Sequence, residues 1–311
     1  GQQPGPSRLI RADMDALPVP ENERNLRQKK VCVSECPGRS HACGHDAHMA
    51  MLLGTIRVLH ALRSELRGMV YCCFEEGEEE TTGVYKMLRA LEKYHIEKCF
   101  ALHVYADLEA GKINVSPGPR MAGTVGIGFH VLGKSGHGSR PDQAANPIIP
   151  AAHIITQLDS AFRNQINAEE TVTLGLCVVQ AGDASNVIPD SAYLAGTARF
   201  FNPEEGKKAL EIINTVAEHT AACHRCTIRF AERNKISLQP VVNHADVAEE
   251  TQARISALRG KNVLGDCGRW YASESYGLYL QRYPGALGFL GIRNPDYGSG
   301  APHHNGKFDV D

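Results

Sequence analysis

No stretch of the 311-residue chain stays apolar for long. Runs such as Ala144–Ile155 are interrupted by Asn, Pro or His, far short of the ~20 apolar residues that a membrane helix needs. Charge of one sign is also missing, because 33 Lys and Arg face 35 Asp and Glu. Without a basic block or aromatic residues interleaved with basic ones, no nucleic-acid partner is expected. Internal repeats and low-complexity segments are absent. The opening "GQQPGPSRLI" has no Met, no basic leader and no apolar segment after it, so no targeting signal is read there.

What is present suits a folded protein of some size. A chain of this length exceeds one ordinary core, so two domains or one large α/β unit are expected. Its 42% hydrophobic and 22% charged residues are ordinary for such a protein. Ten cysteines are too sparse here for a disulfide framework, and Cys72, Cys73 and Cys177 sit inside apolar, strand-like runs. Reduced thiols and a cytoplasmic location are therefore expected. The "CHRC" at 223–226 has redox or zinc-knuckle spacing, but it ends the amphipathic run 209–222 and no second CxxC completes a four-ligand site. It reads as a helix end with two unpaired thiols.

Apolar strand-like runs alternate with helix-period runs through the first third. "SRLIRADMDALP" reads as a strand entering a loop, and "AHMAMLLGTIRVLHALRSEL" as a helix with apolar positions Met49, Leu52, Leu53, Ile56, Leu59 and Leu62. "GMVYCCF" is a buried strand, "TGVYKMLRALEKY" a helix and "CFALHV" a further strand. Continuous apolar strands separated by helices imply an α/β sheet with its active edge at the strand carboxyl ends. That places Asp13, Asp15, Glu75–Glu80 and His103 at one rim. From about Arg120 the order becomes strand, helix, strand, strand, helix, strand, that of a ferredoxin-like split unit, with one long strand expected over "GTVGIGFHVLGKSGHGS". A helix around Ala245–Leu258 and the strand "GALGFLGI" follow. The expected domains are 1–119 with 233–311, discontinuous, and 120–232, inserted.

Chemistry gathers at "HACGHDAHMAMLLG" (41–54). Gly44 between Cys43 and His45 removes a side chain where a cation would need close approach, and His48 follows His45 by one helical turn. A structural zinc site from His41, Cys43, His45 and His48 is one reading, although such sites usually draw on two separated ligand pairs. The other reading adds "FEEGEEE" (74–80), a crowd of carboxylates after a buried strand, where like charges repel unless cations neutralise them. Sulfur, nitrogen and oxygen donors together suit Zn²⁺ or a similar first-row ion, and "PHHNGKFD" (302–309) supplies a remote histidine.

Together "RADMDALP" (11–18), "HACGHDAHMAMLLG", "FEEGEEE", "ALHV" (101–104), "GKSGHGSRPDQAANPI" (133–148), "SNVIPD" with "GTARF" (185–200) and "HHNGKFD" (303–309) resemble the successive signatures of the M20 metallopeptidase/amidohydrolase family. The nearest branch holds hippurate hydrolase, N-acyl-amino-acid amidohydrolases and auxin-conjugate hydrolases. The resemblance implies a zinc-peptidase-like catalytic domain, formed by 1–119 and 233–311, and a ferredoxin-like lid and dimerisation domain, 120–232. It implies two divalent ions (Zn²⁺, or Mn²⁺ or Co²⁺) on Cys43, His45, Glu79, His103 and His304, bridged by the Cys43 thiolate or its neighbour. Glu78 becomes the general acid/base, although Glu79 and Glu80 offer the same pair one step along, and His303 is the lesser choice of terminal ligand. Asp13 and Asp15 orient the ligands, His137 stabilises the oxyanion from a partner subunit, and Asn186 and Arg199 hold a substrate carboxylate.

The expected activity is hydrolysis of the amide of N-acyl amino acids or small dipeptide-like substrates, by a homodimer without membrane or nucleic-acid partners. Two departures from the branch stand out: "SESYG" (273–277) where "SEDF" is usual, and "EEGEE" (75–79) where "QPAEE" is usual. Family members also carry elements before "RADMD" and a helix after "FDVD", so a longer protein is expected. The rival readings are a non-catalytic metal-binding relative that binds a small molecule, and a thiol-redox protein using Cys223 and Cys226.

Overall fold

The computed structural model describes residues 1–311. In chain order its main elements are β1 (Gln3–Asp13), α1 (His45–Ala61), β2 (Arg67–Glu75), α2 (Val84–Leu91), β3 (Lys98–Glu109), β4 (Gly123–Leu132), α3 (Ile148–Gln165), β5 (Val172–Ala181), β6 (Ser191–Phe200), α4 (Pro203–Cys223), β7 (Thr227–Phe230), α5 (Ala245–Arg259) and β8 (Gly285–Arg293). The chain forms an α/β fold of two compact units. The first comprises 1–120, 241–269 and 274–311, and the second 121–240 with 270–273.

The first unit is built on the sheet β2-β1-β3-β8, parallel throughout, with the short strand Ile113–Asn114 antiparallel at its end. Nearly every residue of β8 and of the middle of β3 is buried, the pattern of strands covered on both faces. Register decides what meets at the carboxyl ends. Asp13, last in β1, stands opposite Glu75, last in β2, while Arg11 pairs with Ala101, two residues before His103. Helix α1 begins immediately after Gly44, whose φ of 89° lies in the left-handed region.

That helix differs from its sequence pattern. Of the apolar positions expected to pack, only Leu52 is fully buried, and Leu53 and Leu62 are exposed. Periodicity identifies an apolar face but not the element that covers it. No helix is long and apolar enough to cross a membrane.

The second unit has the order β4, α3, β5, β6, α4, β7. Its antiparallel sheet runs β7-β4-β6-β5, with Lys235–Leu238 also on β4. Val125, Ile127, Phe129, Ile154, Leu158, Phe200, Ile213 and Ala217 join sheet and helices in one core. Asn202 caps α4 by accepting from the Glu204 N–H, with Pro203 at the first turn, the arrangement that leaves fewest orphan donors. The single long strand expected over 123–139 is broken: β4 stops at Leu132, and Gly136–His137 pairs separately with Val187–Ile188. The Gly133 N–H donates to the Asp190 carbonyl, and Lys134 exchanges hydrogen bonds with Ala145. No apolar side chain stands between Leu132 and Pro141, so the apolar pattern ends where β4 does.

Gly44 is where the first unit tolerates least. A Cβ there would lie 2.3 Å from Val104 Cγ2, at a backbone angle that L side chains rarely adopt. Gly44→Ala should lower unfolding free energy by about 2 kcal/mol or more, from strain and overpacking together. Urea unfolding with a parental midpoint would contradict this packing.

Candidate metal centre

Three buried or half-buried donors from separate segments come together in the first unit. One ligand atom each from Cys43, His45 and Glu79 lies within 4.8 Å of the others. Cys43 precedes the Gly44 turn, His45 opens α1, and Glu79 sits beyond the end of β2. His103, on β3, brings Nε2 to 3.7 Å from Cys43 Sγ. His304 brings Nε2 to 3.4 Å from Glu79 Oε1, in a backbone of φ 63° anchored by its N–H on the Ala42 carbonyl.

Hydrogen bonds fix which nitrogen of each ring faces the centre. His45 donates Nδ1–H to Asp15 Oδ1 at 3.1 Å, leaving Nε2 buried without a hydrogen-bond partner. The other oxygen of Asp15 accepts the Glu79 peptide N–H at 3.0 Å, and Glu79 Oε1 is likewise buried and unbonded. The approach of His304 to that oxygen therefore lacks hydrogen-bond alignment. His103 donates Nδ1–H to the Val104 carbonyl at 2.7 Å, which turns Nε2 towards the thiol.

Two lone-pair atoms buried without partners are costly, and these stand beside a thiol. A mixed sulfur, nitrogen and oxygen set fits Zn²⁺ or a similar ion, so the residues present fit a divalent cation.

His48 and His303 are committed elsewhere. His48 bonds Asp13 Oδ1 through Nδ1 at 2.5 Å and accepts the Val104 N–H on Nε2 at 2.9 Å, tying α1 to β1 and β3. This removes the site made of His41, Cys43, His45 and His48. His303 accepts the Ala106 N–H on Nε2 at 3.2 Å and turns Nδ1 to Cys43 Sγ at 3.7 Å. Burial, with the charges of His304 and His48, pushes it down to about 3.

Burial also acts on the donors. It raises the Cys43 thiol well above its ordinary value, and the charge of Glu79 raises it further. Burial alone would lower His45, but the Asp15 hydrogen bond and the charge of Asp13 outweigh it and lift the ring to about 9.

Glu78 is buried, and its Oε1 accepts the Ser275 N–H at 2.8 Å. Burial and then the charge of Glu274 push its carboxyl well above the usual range. Glu80 is exposed, so of the three glutamates after Gly77 it is 78 and 79 that turn inward.

A buried ionic network missing from the sequence reading lies beside these residues. Arg11 reaches Asp13 Oδ2 at 2.6 Å, Glu75 Oε2 at 3.0 Å and Glu274 Oε1 at 3.0 Å. Tyr279 O–H donates to Glu75 Oε2 at 2.7 Å. An arginine inside an otherwise apolar strand was the available signal, because such a cation demands buried acids.

His137, Asn186 and Arg199 belong to the second unit. His137 is exposed and accepts the Ser139 N–H on Nδ1 at 3.1 Å. Exposed Asn186 accepts the Gly138 N–H on its carbonyl at 2.8 Å. Half-buried Arg199 bonds Thr124 Oγ1 and, at 2.8 Å, Ser273 Oγ. Of the CxxC thiols, Cys223 is exposed and Cys226 buried, its Sγ bonded to the His224 carbonyl. A buried thiol pointed at a carbonyl is poorly placed for exchange.

Comparison with known proteins identifies the family. Peptidase family M20/M25/M40 matches over residues 9–311. The N-acetylcysteine deacetylase of Bacillus subtilis is 33% identical over 299 residues, covering 95% of this chain and 76% of that one. The IAA-amino acid hydrolase ILR1-like 2 of Arabidopsis thaliana is 29% identical, covering 94% of this chain and 66% of its own length, so the chain spans about two-thirds of that relative. The crystal structure of Bacillus subtilis YxeP, described as a dinuclear metal binding peptidase from the M20 family, superposes with a TM-score of 0.82 at 30% identity, over 100% of this chain and 78% of that one. With a family match across nearly its whole length, on a fold whose strand ends gather a thiol, imidazoles and carboxylates, the chain belongs to peptidase family M20/M25/M40.

Proposed function

We propose that the protein is a metal-dependent hydrolase of the amide bond of N-acyl amino acids or small dipeptide-like substrates. The observation that carries this reading is the pair of buried, unbonded ligand atoms, His45 Nε2 and Glu79 Oε1, beside the Cys43 thiol. Cys43, His45, Glu79, His103 and His304 would hold two divalent ions, Zn²⁺ or else Mn²⁺ or Co²⁺. Such ions supply Lewis acidity towards water and towards an amide carbonyl.

Around them the chain's own groups have distinct tasks. Asp15 orients both His45 and Glu79, and Asp13 fixes His48 behind them, the kind of support that ligand geometry depends on. Glu78, held on one oxygen by Ser275 N–H, takes the proton of the attacking water and returns it to the leaving amine. Its raised pKa suits a group that must release what it accepts. His137 accepts on Nδ1 from Ser139, which leaves Nε2–H to stabilise an oxyanion. Asn186 and Arg199 hold the substrate carboxylate, a task suited to a guanidinium fork.

The second unit, with its order of strand, helix, strand, strand, helix, strand, is read as an inserted ferredoxin-like lid, and residues 1–119 with 233–311 as the catalytic domain. A homodimer through this lid is supported by β5, which pairs only with β6 and leaves its other edge open. A cytoplasmic location accords with ten free thiols.

A screen of N-acyl amino acids with added Zn²⁺, Mn²⁺ or Co²⁺, together with metal analysis, tests the reading. Glu78→Gln should keep its metal and lose turnover by 10²-fold or more, whereas Glu79→Ala or His103→Ala should lose metal. Parental turnover in metal-loaded Glu78→Gln would remove Glu78 from its role. Because His45 is lifted to about 9 and Cys43 is raised as well, both bind metal at neutral pH only by giving up protons. Calorimetry at pH 7 in buffers of different ionisation enthalpy should show release of about two protons or more on loading, because Glu79 also raises His304. Affinity should rise with pH through about 9, where His45 loses its proton, and go on rising above it as Cys43 does. A pH-independent affinity would contradict the assignment of these two donors.

A further inference from the structure

Ser275 connects two carboxylates. Its peptide N–H donates to Glu78 Oε1 at 2.8 Å. Its hydroxyl donates to Glu75 Oε1 at 2.6 Å and accepts from Arg11 Nη2 at 2.9 Å. Glu75 is held from the opposite oxygen by Tyr279 O–H at 2.7 Å and Arg11 Nε at 3.0 Å. Arg11, Glu75, Ser275 and Tyr279 are all buried, none more than 3% exposed, so water cannot replace a lost partner and each bond constrains geometry strongly.

Position 275 is tightly specified. Alanine would keep the N–H but release the hydroxyl's bonds to Glu75 and Arg11 and its 3.3 Å contact with Glu274 Oε1, and aspartate would set a second carboxylate at hydrogen-bond distance from Glu75, where like charges cannot both remain ionised cheaply. The two departures noted in the sequence meet here. Where "QPAEE" and "SEDF" would put an amide at 75 and a carboxylate at 275, this chain has Glu75 and Ser275. The carboxylate and the neutral partner have exchanged places around the same Arg11.

We propose that Glu75 and Ser275 are positioning residues for the general base. Glu75, locked by Arg11 and Tyr279, fixes the Ser275 hydroxyl, and through it the peptide N–H that aims the Glu78 carboxylate. The inference rests on the reading of Glu78 as acid/base, and it deepens that reading by naming what orients the group.

The test compares Ser275→Ala, Ser275→Thr, Ser275→Asp, Glu75→Gln and the exchange Glu75→Gln/Ser275→Asp in metal-loaded protein. In Ser275→Ala, kcat should fall about tenfold with KM and metal content unchanged, the signature of lost alignment in the transition state. Ser275→Thr, which keeps the hydroxyl, should recover most of it. The exchange should exceed Ser275→Asp alone in kcat. Parental kcat in Ser275→Ala, or a fall that follows metal loss, would overturn the proposal.

A readout independent of activity is the stability cycle of Glu75→Gln, Ser275→Ala and their combination. Non-additive shifts in urea midpoint support the linkage, and additive ones refute it. If the parental protein hydrolyses no N-acyl amino acid, the general-base reading fails, while this cycle still decides whether the two residues act as one unit.

Discussion

One carboxylate sets the geometry on which the centre depends. Asp15 accepts from the His45 imidazole with one oxygen and from the Glu79 peptide with the other. It thereby turns His45 Nε2 inward and places the backbone that carries the Glu79 side chain. Asp15 can do this because β1 ends two residues earlier, opposite the end of β2. Parallel pairing therefore brings a helix start, a strand exit and a loop to one point, and the carboxylate converts that proximity into ligand orientation.

Charge is the second constraint. Arg11 is in ion-pair contact with Asp13, Glu75 and Glu274, all of them buried, and Asp13 also meets His48. One guanidinium against three acids is an expensive arrangement in a low-dielectric interior, and Glu78, Glu79 and Asp15 add further negative charge nearby. Divalent cations at Cys43, His45 and Glu79 would offset that excess. The same network carries the positional exchange at 75 and 275, so the charge that steadies the acids also holds the backbone behind Glu78.

Much of this was legible in the sequence, and the failures have physical causes. Continuous apolar runs revealed β1, β2 and β3 because burial on both faces imposes them. Donor types at 43, 45 and 103 are diagnostic in kind. By contrast, "FEEGEEE" holds five glutamates with no local feature to rank them. The inward ones are singled out only by remote partners, Arg11 and Tyr279 for Glu75, Ser275 for Glu78 and Asp15 for Glu79. His304 is preferred to His303 only through the resemblance, and the physical difference between them is the Ala106 N–H, which claims His303. The Arg11 network joins residues up to 264 positions apart, beyond the reach of any periodicity.

The central claim is that distant strand ends enclose a pair of cations gripped by one thiolate with imidazole and carboxylate partners. X-ray absorption on Zn²⁺-loaded protein addresses it most directly. The account predicts one sulfur neighbour at about 2.3 Å with nitrogen and oxygen neighbours at about 2.0–2.2 Å, and a second metal at roughly 3.5–4 Å, with the sulfur signal absent in Cys43→Ala. A shell of oxygen and nitrogen alone in the parental protein, unchanged by removing Cys43, would contradict it.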